Sequence, residues 1–222
     1  MLQLLTSPQI READAYTIKN KPISSIDLME SASAAFVKAF MKEVPDRDTL
    51  ISVYCGTGNN GGDGLAIARL LKEQAYDSIS VKIMRFSPKE SPDFKINLDR
   101  LKLTGIPLTE LPETNHLPKE KASVIIEALI GSGLNKALEG DFQSLIKHLN
   151  KLKKKVIAVD VPSGFPTEGI IDSNATILKA NLTITFQRPK INFFFPESAQ
   201  AIERFIVADI GLDEAYIQFQ SG

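Results

Sequence analysis

A run of nine residues from Gly56 to Gly64, GTGNNGGDG, concentrates five glycines with two asparagines and one aspartate. Apolar, strand-like sequence precedes this run and helix-forming sequence follows it. A strand, a glycine-rich turn and a helix N-terminus together place backbone N–H groups against a phosphate. The oxygens of Asn59, Asn60 and Asp63 also suit a hard cation or the polar groups of a sugar. We therefore expect the run to bind a nucleotide.

Two familiar phosphate-binding patterns match this run only in part. Gly56, Gly58 and Gly61 satisfy the G-x-G-x-x-G spacing of dinucleotide-binding folds. That fingerprint needs an acidic residue at the end of the second strand for the ribose, and the apolar run 79–86 ends without one. A P-loop needs Lys followed by Ser or Thr after its last glycine, where this chain has Asp63. An ordinary NAD-dependent oxidoreductase is thus disfavoured.

The composition, 43% hydrophobic and 24% charged, is ordinary for a soluble globular protein, and the length of 222 residues suits one sizeable α/β domain. We interpret residues 1–222 as one domain, which could also be the front half of a longer bifunctional protein. A net charge of −1 gives no electrostatic reason to expect nucleic acid. The single cysteine, Cys55, excludes an internal disulfide, and no signal peptide or membrane-length apolar run is evident. These features predict a cytoplasmic protein.

Strand-like and helix-like segments alternate along the chain. The predicted strands are short apolar runs, as expected for parallel strands that are buried on both faces. They lie at 50–55, 79–86, 123–129, 155–161, 182–186 and 205–210, with a short extended piece at 107–111. Helices are predicted from Thr6 through Tyr16, from Ser24 to Val44, after the glycine run to Tyr76, and over 92–104 and 141–152. The alternation predicts a doubly wound, mostly parallel sheet with helices on both faces.

Further polar residues follow the other predicted strands. In open α/β sheets, ligands bind beyond the carboxyl ends of the strands, so these side chains should meet at one edge. The candidates are Glu127, the turn Gly131-Ser132-Gly133, Asp160 and Ser163, with Lys136 and Lys190 as cations. For Lys190 a plain surface position is about as well supported as a place in the site.

Three segments carry a specific resemblance: GTGNNGGDGLAIARLL, EALIGSGLNKALEG and VDVPSG. They resemble the signatures of the YjeF N-terminal domain family, the NAD(P)H-hydrate epimerases, and the similarity extends over essentially the whole chain. The resemblance implies a Rossmann-like fold, usually as a homodimer. It also implies an isomerase that interconverts the R and S epimers of hydrated NADH and NADPH (NADHX and NADPHX), with one bound potassium ion (K+) per subunit.

Carried over motif by motif, the resemblance also implies roles for individual residues. Asn60, Glu127 and Ser163 would hold the K+ ion. The substrate would contact Asn59, Asn60, Gly61, Gly62, Asp63, Gly131, Ser132, Gly133, Leu134, Asn135, Lys136, Ala137 and Asp160. The chain departs from the family pattern at two positions: Glu127 stands where Asp is usual, and Lys136 stands where Arg is more common. Lys keeps the charge but lacks the bidentate fork of Arg.

The implied chemistry needs a group that gives a proton to the leaving hydroxyl and takes one from the incoming water. Asp160 is the only acid in its turn and is the first candidate, with Lys136 as the second. An alternative is a non-catalytic, dimerising scaffold of the same fold that associates with nucleotide or RNA. Such scaffolds are expected to lose the asparagine-rich run or Asp160, and both are intact here. The resemblance to the epimerases also implies an ADP- or ATP-dependent hydrate dehydratase as a partner, either fused to this domain or separate.

Overall fold

The computed structural model describes residues 4–115, 117–133 and 137–220. Its centre is a seven-stranded sheet in the order β3-β2-β1-β4-β5-β6-β7, with every pairing between neighbours parallel. The strands are β1 (Ile51–Cys55), β2 (Ile79–Met84), β3 (Leu108–Leu111), β4 (Val124–Ala128), β5 (Lys155–Val159), β6 (Leu182–Phe186) and β7 (Phe205–Ala208). The predicted Rossmann-like α/β fold is confirmed.

Six α-helices accompany the sheet in the described part of the chain. They are α1 (Ser7–Asn20), α2 (Ser25–Glu43), α3 (Asn59–Glu73), α4 (Pro92–Lys102), α5 (Gly140–Lys151) and α6 (Glu214–Gln220). Two short 3₁₀ helices, Ile191–Phe194 and Pro196–Gln200, connect β6 to β7. None of the described helices is long and apolar enough to cross a membrane.

The predicted helix starts at Thr6 and Ser24 are confirmed, because both residues form capping boxes. The side chain of Thr6 accepts from the backbone N–H of Gln9, whose side chain in turn accepts from the Thr6 backbone N–H. Ser24 and Asp27 make the same reciprocal pair at α2. Each box satisfies two backbone donors that a helix start otherwise leaves unpaired.

Helices cover both faces of the sheet, as the doubly wound pattern predicts. Residues of β1 alternate between the two sides: Val53 packs in the core with α2, α3 and α4, whereas Tyr54 packs in the core with α5. This alternation follows from the two-residue period of a strand. A separate apolar cluster joins α1 to α6, where the rings of Tyr16 and Tyr216 stack with their centroids 3.9 Å apart.

The strand order reverses direction between β1 and β4. From β1 the chain winds outward through β2 to β3, returns to β4 on the other side, and then continues outward to β7. Such a switch point opens a crevice beyond the carboxyl ends of the two strands, because their connections leave in opposite directions. The fold therefore places the candidate residues that follow β1, β4 and β5 at one edge.

Candidate functional site

A cleft of about 610 Å³ lies at this switch point. Its volume is in the range of small-molecule sites. The predicted residues Asn59, Asn60, Asp63, Gly131, Ser132, Gly133 and Asp160 all line it. Lys190, which the sequence left undecided, lines it as well and is only 2% exposed. The structure therefore brings together the residues that follow β1, β4, β5 and β6.

Helix α3 begins inside the glycine run, earlier than the sequence predicts. Gly58 is its N-cap with no side-chain cap, and Asn59 and Asn60 occupy the first helical turn. Both asparagines and Gly58 line the cleft, so the positive end of the helix dipole borders it. An uncapped helix start of this kind suits a phosphate or another anion.

Three glycines of the run are needed for close packing rather than for lining the cleft. A Cβ on Gly61 would lie 1.9 Å from the carbonyl oxygen of Gly56, and a Cβ on Gly56 would lie 2.1 Å from the carbonyl oxygen of Leu129. Gly62 packs against the sulfur of Met29, 2.9 Å from the position of its missing Cβ. The absent side chains thus let α3 begin directly against the ends of β1 and β4.

Asp160 occupies a strained turn directly after β5. Its backbone has a φ of 62°, in the left-handed region that Asp and Asn adopt more readily than most residues. Its Oδ1 accepts from the Thr185 hydroxyl and the Phe186 backbone N–H, both at 3.0 Å, and lies 2.7 Å from Nζ of Lys190. All three contacts involve Oδ1, which leaves Oδ2 for a bound molecule.

A second carboxylate, Asp14, reaches the cleft from helix α1, and sequence reasoning missed it. Ser7, Ile10, Arg11 and Asp14 form one helical face along the cleft, at the i, i+3, i+4, i+7 spacing. Burial, together with the negative charge of Asp160, raises the pKa of Asp14 to about 6, and the Lys190 charge opposes this increase. Helix α1 lacks any of the motifs that marked the other site residues, so only the spacing could have identified this face.

The cleft also holds Asp63, near the N-terminus of α3. Burial raises its pKa well above the ordinary value, and the negative charges of Asp160, Asp14 and Asp93 add to the increase. Among the described residues, three carboxylates thus share the cleft with one buried ammonium, that of Lys190. Groups with perturbed pKa values of this kind are typical of functional sites.

Glu127 and Ser163 lie together beneath the cleft, fully buried and not among its lining residues. The Glu127 carboxylate accepts from the backbone N–H of Leu129 at 2.8 Å, the backbone N–H of Ser163 at 3.1 Å and the Ser163 hydroxyl. Burial outweighs these hydrogen bonds and raises the pKa of Glu127 to about 7. No Lys or Arg in the described ranges forms an ion pair with this carboxylate.

The three residues expected to hold K+ lie around the same backbone segment. The Ser163 hydroxyl accepts from the Ile130 backbone N–H at 2.8 Å. A Cβ on Gly131 would lie 3.3 Å from the Asn60 side chain, which therefore packs against this segment. A carboxylate without a counter-ion, an amide and a hydroxyl form an oxygen-rich set that fits a hard cation. These residues are therefore compatible with the predicted ion.

The other predicted substrate-binding residues either lie outside the described part of the chain or do not line the cleft. Leu134, Asn135 and Lys136 lie outside the described residues. Ala137 is exposed and does not line the cleft, and neither do Gly61 and Gly62. Their roles in binding the substrate stay predictions.

Comparison with known proteins assigns the family. Residues 25–192 match the sequence model of the family described as YjeF-related protein N-terminus. The chain belongs to this family. It is 36% identical over 208 residues to the NAD(P)H-hydrate epimerase of Limosilactobacillus fermentum, covering 93% of this chain and 96% of that protein.

Two further comparisons extend this result. The chain is 32% identical to the bifunctional NAD(P)H-hydrate repair enzyme Nnr of Coxiella burnetii, over 98% of this chain but only 43% of that protein. It therefore spans less than half of that bifunctional relative. The crystal structure of yeast ynu0 superposes with a TM-score of 0.78 at 24% identity, covering 98% of this chain and 93% of the yeast chain. That likeness supports the fold.

Proposed function

We propose that this protein is an NAD(P)H-hydrate epimerase that interconverts the R and S forms of NADHX and NADPHX. The observation that carries the proposal is the cleft itself, where carboxylates surround one buried ammonium beside the open N-terminus of α3. The helix start suits the phosphates of a dinucleotide, and the carboxylates suit proton transfer at its ring. Relatives bearing the epimerase name match nearly the whole chain.

The substrate makes the chemistry feasible without redox change. Its hydroxyl is on the ring carbon C6, next to the ring nitrogen, whose electron pair can expel the hydroxyl as water and leave a planar iminium. Addition of water to the opposite face then inverts the centre. Asp160 is the proposed catalytic carboxylate, because its Oδ2 is available while Lys190, Thr185 and Phe186 hold its Oδ1. Lys136 stays the second candidate.

K+ is proposed as a bound ion held by Asn60, Glu127 and Ser163. When bound, K+ would supply a positive charge beside the buried Glu127 carboxylate. The three residues connect the first turn of α3 with the backbone after β4 and the turn after β5. They would thereby fix the relative positions of the two loops that border the cleft.

The proposed activity is tested by equilibrating purified epimers. Starting from pure S or pure R hydrate, the enzyme should produce the same mixture from both directions, at a rate proportional to its concentration. No acceleration over the enzyme-free reaction from either epimer would overturn the proposal and favour the scaffold alternative.

The ion is tested separately, by thermal unfolding in potassium and then in sodium chloride at equal ionic strength. We expect a higher melting temperature in potassium, and a smaller difference for Glu127→Gln. Equal melting temperatures for the wild-type protein in both salts would contradict a K+ site.

A homodimer, a cytoplasmic location and a hydrate dehydratase as a functional partner are further parts of the proposal. The relatives named bifunctional repair enzymes support the dehydratase. For the homodimer, Phe194 and Phe195 supply candidate contacts because both are about half exposed, whereas Phe193 packs internally against Phe165 and Phe205.

A further inference from the structure

The reaction proposed above imposes a geometric demand on the acid–base groups, and this inference rests on that reaction. The hydroxyl leaves from one face of the ring, and water must enter from the other. A single carboxyl group on one side of a bound ring reaches one face only. Inversion without turning the substrate over therefore needs a proton-transferring group on each side.

The cleft supplies two carboxylates from separate parts of the fold. Asp160 reaches the cleft from the turn after β5, at the carboxyl ends of the strands. Asp14 reaches it from α1, which packs on α6 and α2. Both line the cleft. A ring held between α1 and the carboxyl ends of the strands would present one face to Asp14 and the other to Asp160.

The surroundings of the two carboxylates differ in a way that suits opposite roles. Three donors contact Asp160, including the Lys190 ammonium at 2.7 Å. The Asp14 carboxylate makes no hydrogen bond or ion pair with the described residues, and burial raises its pKa to about 6. Of the other charged groups on the cleft, Asp63 and Asp160 disfavour a further negative charge, while Arg11, Lys89 and Lys190 are cations. Asp160 is thus a carboxylate stabilised by hydrogen-bond donors, whereas Asp14 is a carboxyl group that can gain or lose its proton near neutral pH.

We propose that Asp14 is the second acid–base residue of the site and serves the ring face opposite to Asp160. In one direction, protonated Asp14 gives its proton to the hydroxyl, the C6–O bond breaks, and water leaves as the nitrogen electron pair forms the iminium. A new water molecule bonds to C6 from the other face and passes its proton to Asp160. In the reverse direction the two carboxyl groups exchange roles, and no oxidant or reductant is needed.

The proposal is tested by following oxygen exchange and inversion together in water enriched in ¹⁸O. Wild-type enzyme should incorporate one ¹⁸O atom per inversion, starting from either hydrate of NADH. In Asp14→Asn, inversion should fall by at least ~100-fold, the usual scale of acid–base catalysis. One epimer, whose hydroxyl faces Asp160, should still exchange its oxygen without inverting. Asp160→Asn should show the opposite preference and exchange only the other epimer.

Glu12→Gln is the matched control, because Glu12 is exposed on the same helix and outside the cleft lining. It should invert and exchange at wild-type rates. Retained inversion in Asp14→Asn would overturn the proposal. So would loss of exchange for both epimers in a variant that still binds the hydrate and unfolds at a normal temperature. Absence of inversion by the wild-type enzyme would instead refute the proposed function.

Discussion

Two clusters of charged side chains in the described part of the protein are built differently. In the first cluster, Lys82 of β2 lies 2.9 Å from Glu120. The Glu120 carboxylate also accepts hydrogen bonds from Tyr54, Ser52 and the backbone N–H of Ala122. We call this set the β1–β2 cluster. The other cluster is that of the cleft, where Asp14, Asp63 and Asp160 lie with Lys190, the one buried ammonium among the described lining residues.

The difference lies in how completely the charges are compensated. In the β1–β2 cluster, hydrogen bonds from Lys82 and Tyr54 outweigh burial and lower the pKa of Glu120 to about 2. In the cleft, burial and mutual repulsion raise the pKa values of Asp14 and Asp63. Removing one partner of a compensated buried charge destabilises the fold, whereas an uncompensated buried charge itself costs folding free energy and is available for a ligand or a proton. This contrast assigns structure to one cluster and function to the other.

The largest expected effect is on catalysis, in Asp160→Asn. Asn tolerates the left-handed backbone at this position and can still accept from Thr185 and Phe186, but it cannot transfer the proton. We expect inversion to fall by roughly 10³-fold, within the usual range for acid–base groups. The measurement is the initial rate of S-to-R conversion, with folding checked by circular dichroism.

Two controls accompany this variant. Asp99→Asn changes an exposed carboxylate on α4 and should keep wild-type turnover. In Asp160→Asn alone, the Lys190 ammonium stays buried without its carboxylate partner, which can lower stability. The double variant Asp160→Asn, Lys190→Met removes this ammonium as well, so it distinguishes a loss of stability from a loss of catalysis. Near-normal turnover in either Asp160 variant would break the assignment of function to the cleft.

The next effect is on stability, in Lys82→Met. It leaves Glu120 buried without its cation, and breaking a buried pair in this way costs about 3–5 kcal/mol of unfolding free energy. Chemical denaturation measures the loss, while turnover at a temperature where the variant is folded should stay unchanged. Lys102→Met, at an exposed pair with Asp99, is the control and should cost under about 1 kcal/mol. Loss of turnover in folded Lys82→Met would mean that the β1–β2 cluster also serves the site.

A third prediction uses acid to separate the clusters. The pKa of Glu120 is lower in the folded protein than its ordinary 4.5, so its stabilisation is complete above that value and disappears as the pH falls towards 2. Between pH 5 and 2, the free energy of unfolding should therefore fall less in Glu120→Gln than in the wild type, with a difference of about 2 kcal/mol. Denaturant midpoints across this range provide the test, and parallel curves for the two proteins would contradict it.

The smallest expected effect has the opposite dependence on pH. The pKa of Asp14 is higher in the folded protein, so its ionisation opposes folding as the pH rises from its ordinary 3.8 through about 6. Asp14→Asn should be more stable than wild type by about 1 kcal/mol at pH 7.5, after allowance for solvent screening, with no difference at pH 3.5. A less stable variant at pH 7.5 would make Asp14 a structural residue.

Much of the fold could be predicted from local sequence. The strands are short apolar runs, and the helices at Thr6 and Ser24 carry their own capping residues, so neighbouring residues specify these elements. The start of α3 was predicted too late, because a glycine-rich segment suggests a turn until packing against Gly56 and Leu129 makes the small residues necessary. Burial by neighbouring backbone is a tertiary property that local propensity does not encode.

For the site, the sequence by itself determined the glycine run, the turns after β4 and β5, and the carboxylate of Asp160, because each motif is contiguous in the chain. Only the tertiary structure decided that Lys190 pairs with Asp160 and that α1 brings Asp14 to the same cleft. These two residues stand outside the motifs, and their significance depends on distance, burial and neighbouring charge. Such quantities exist only once segments far apart in the chain have packed together.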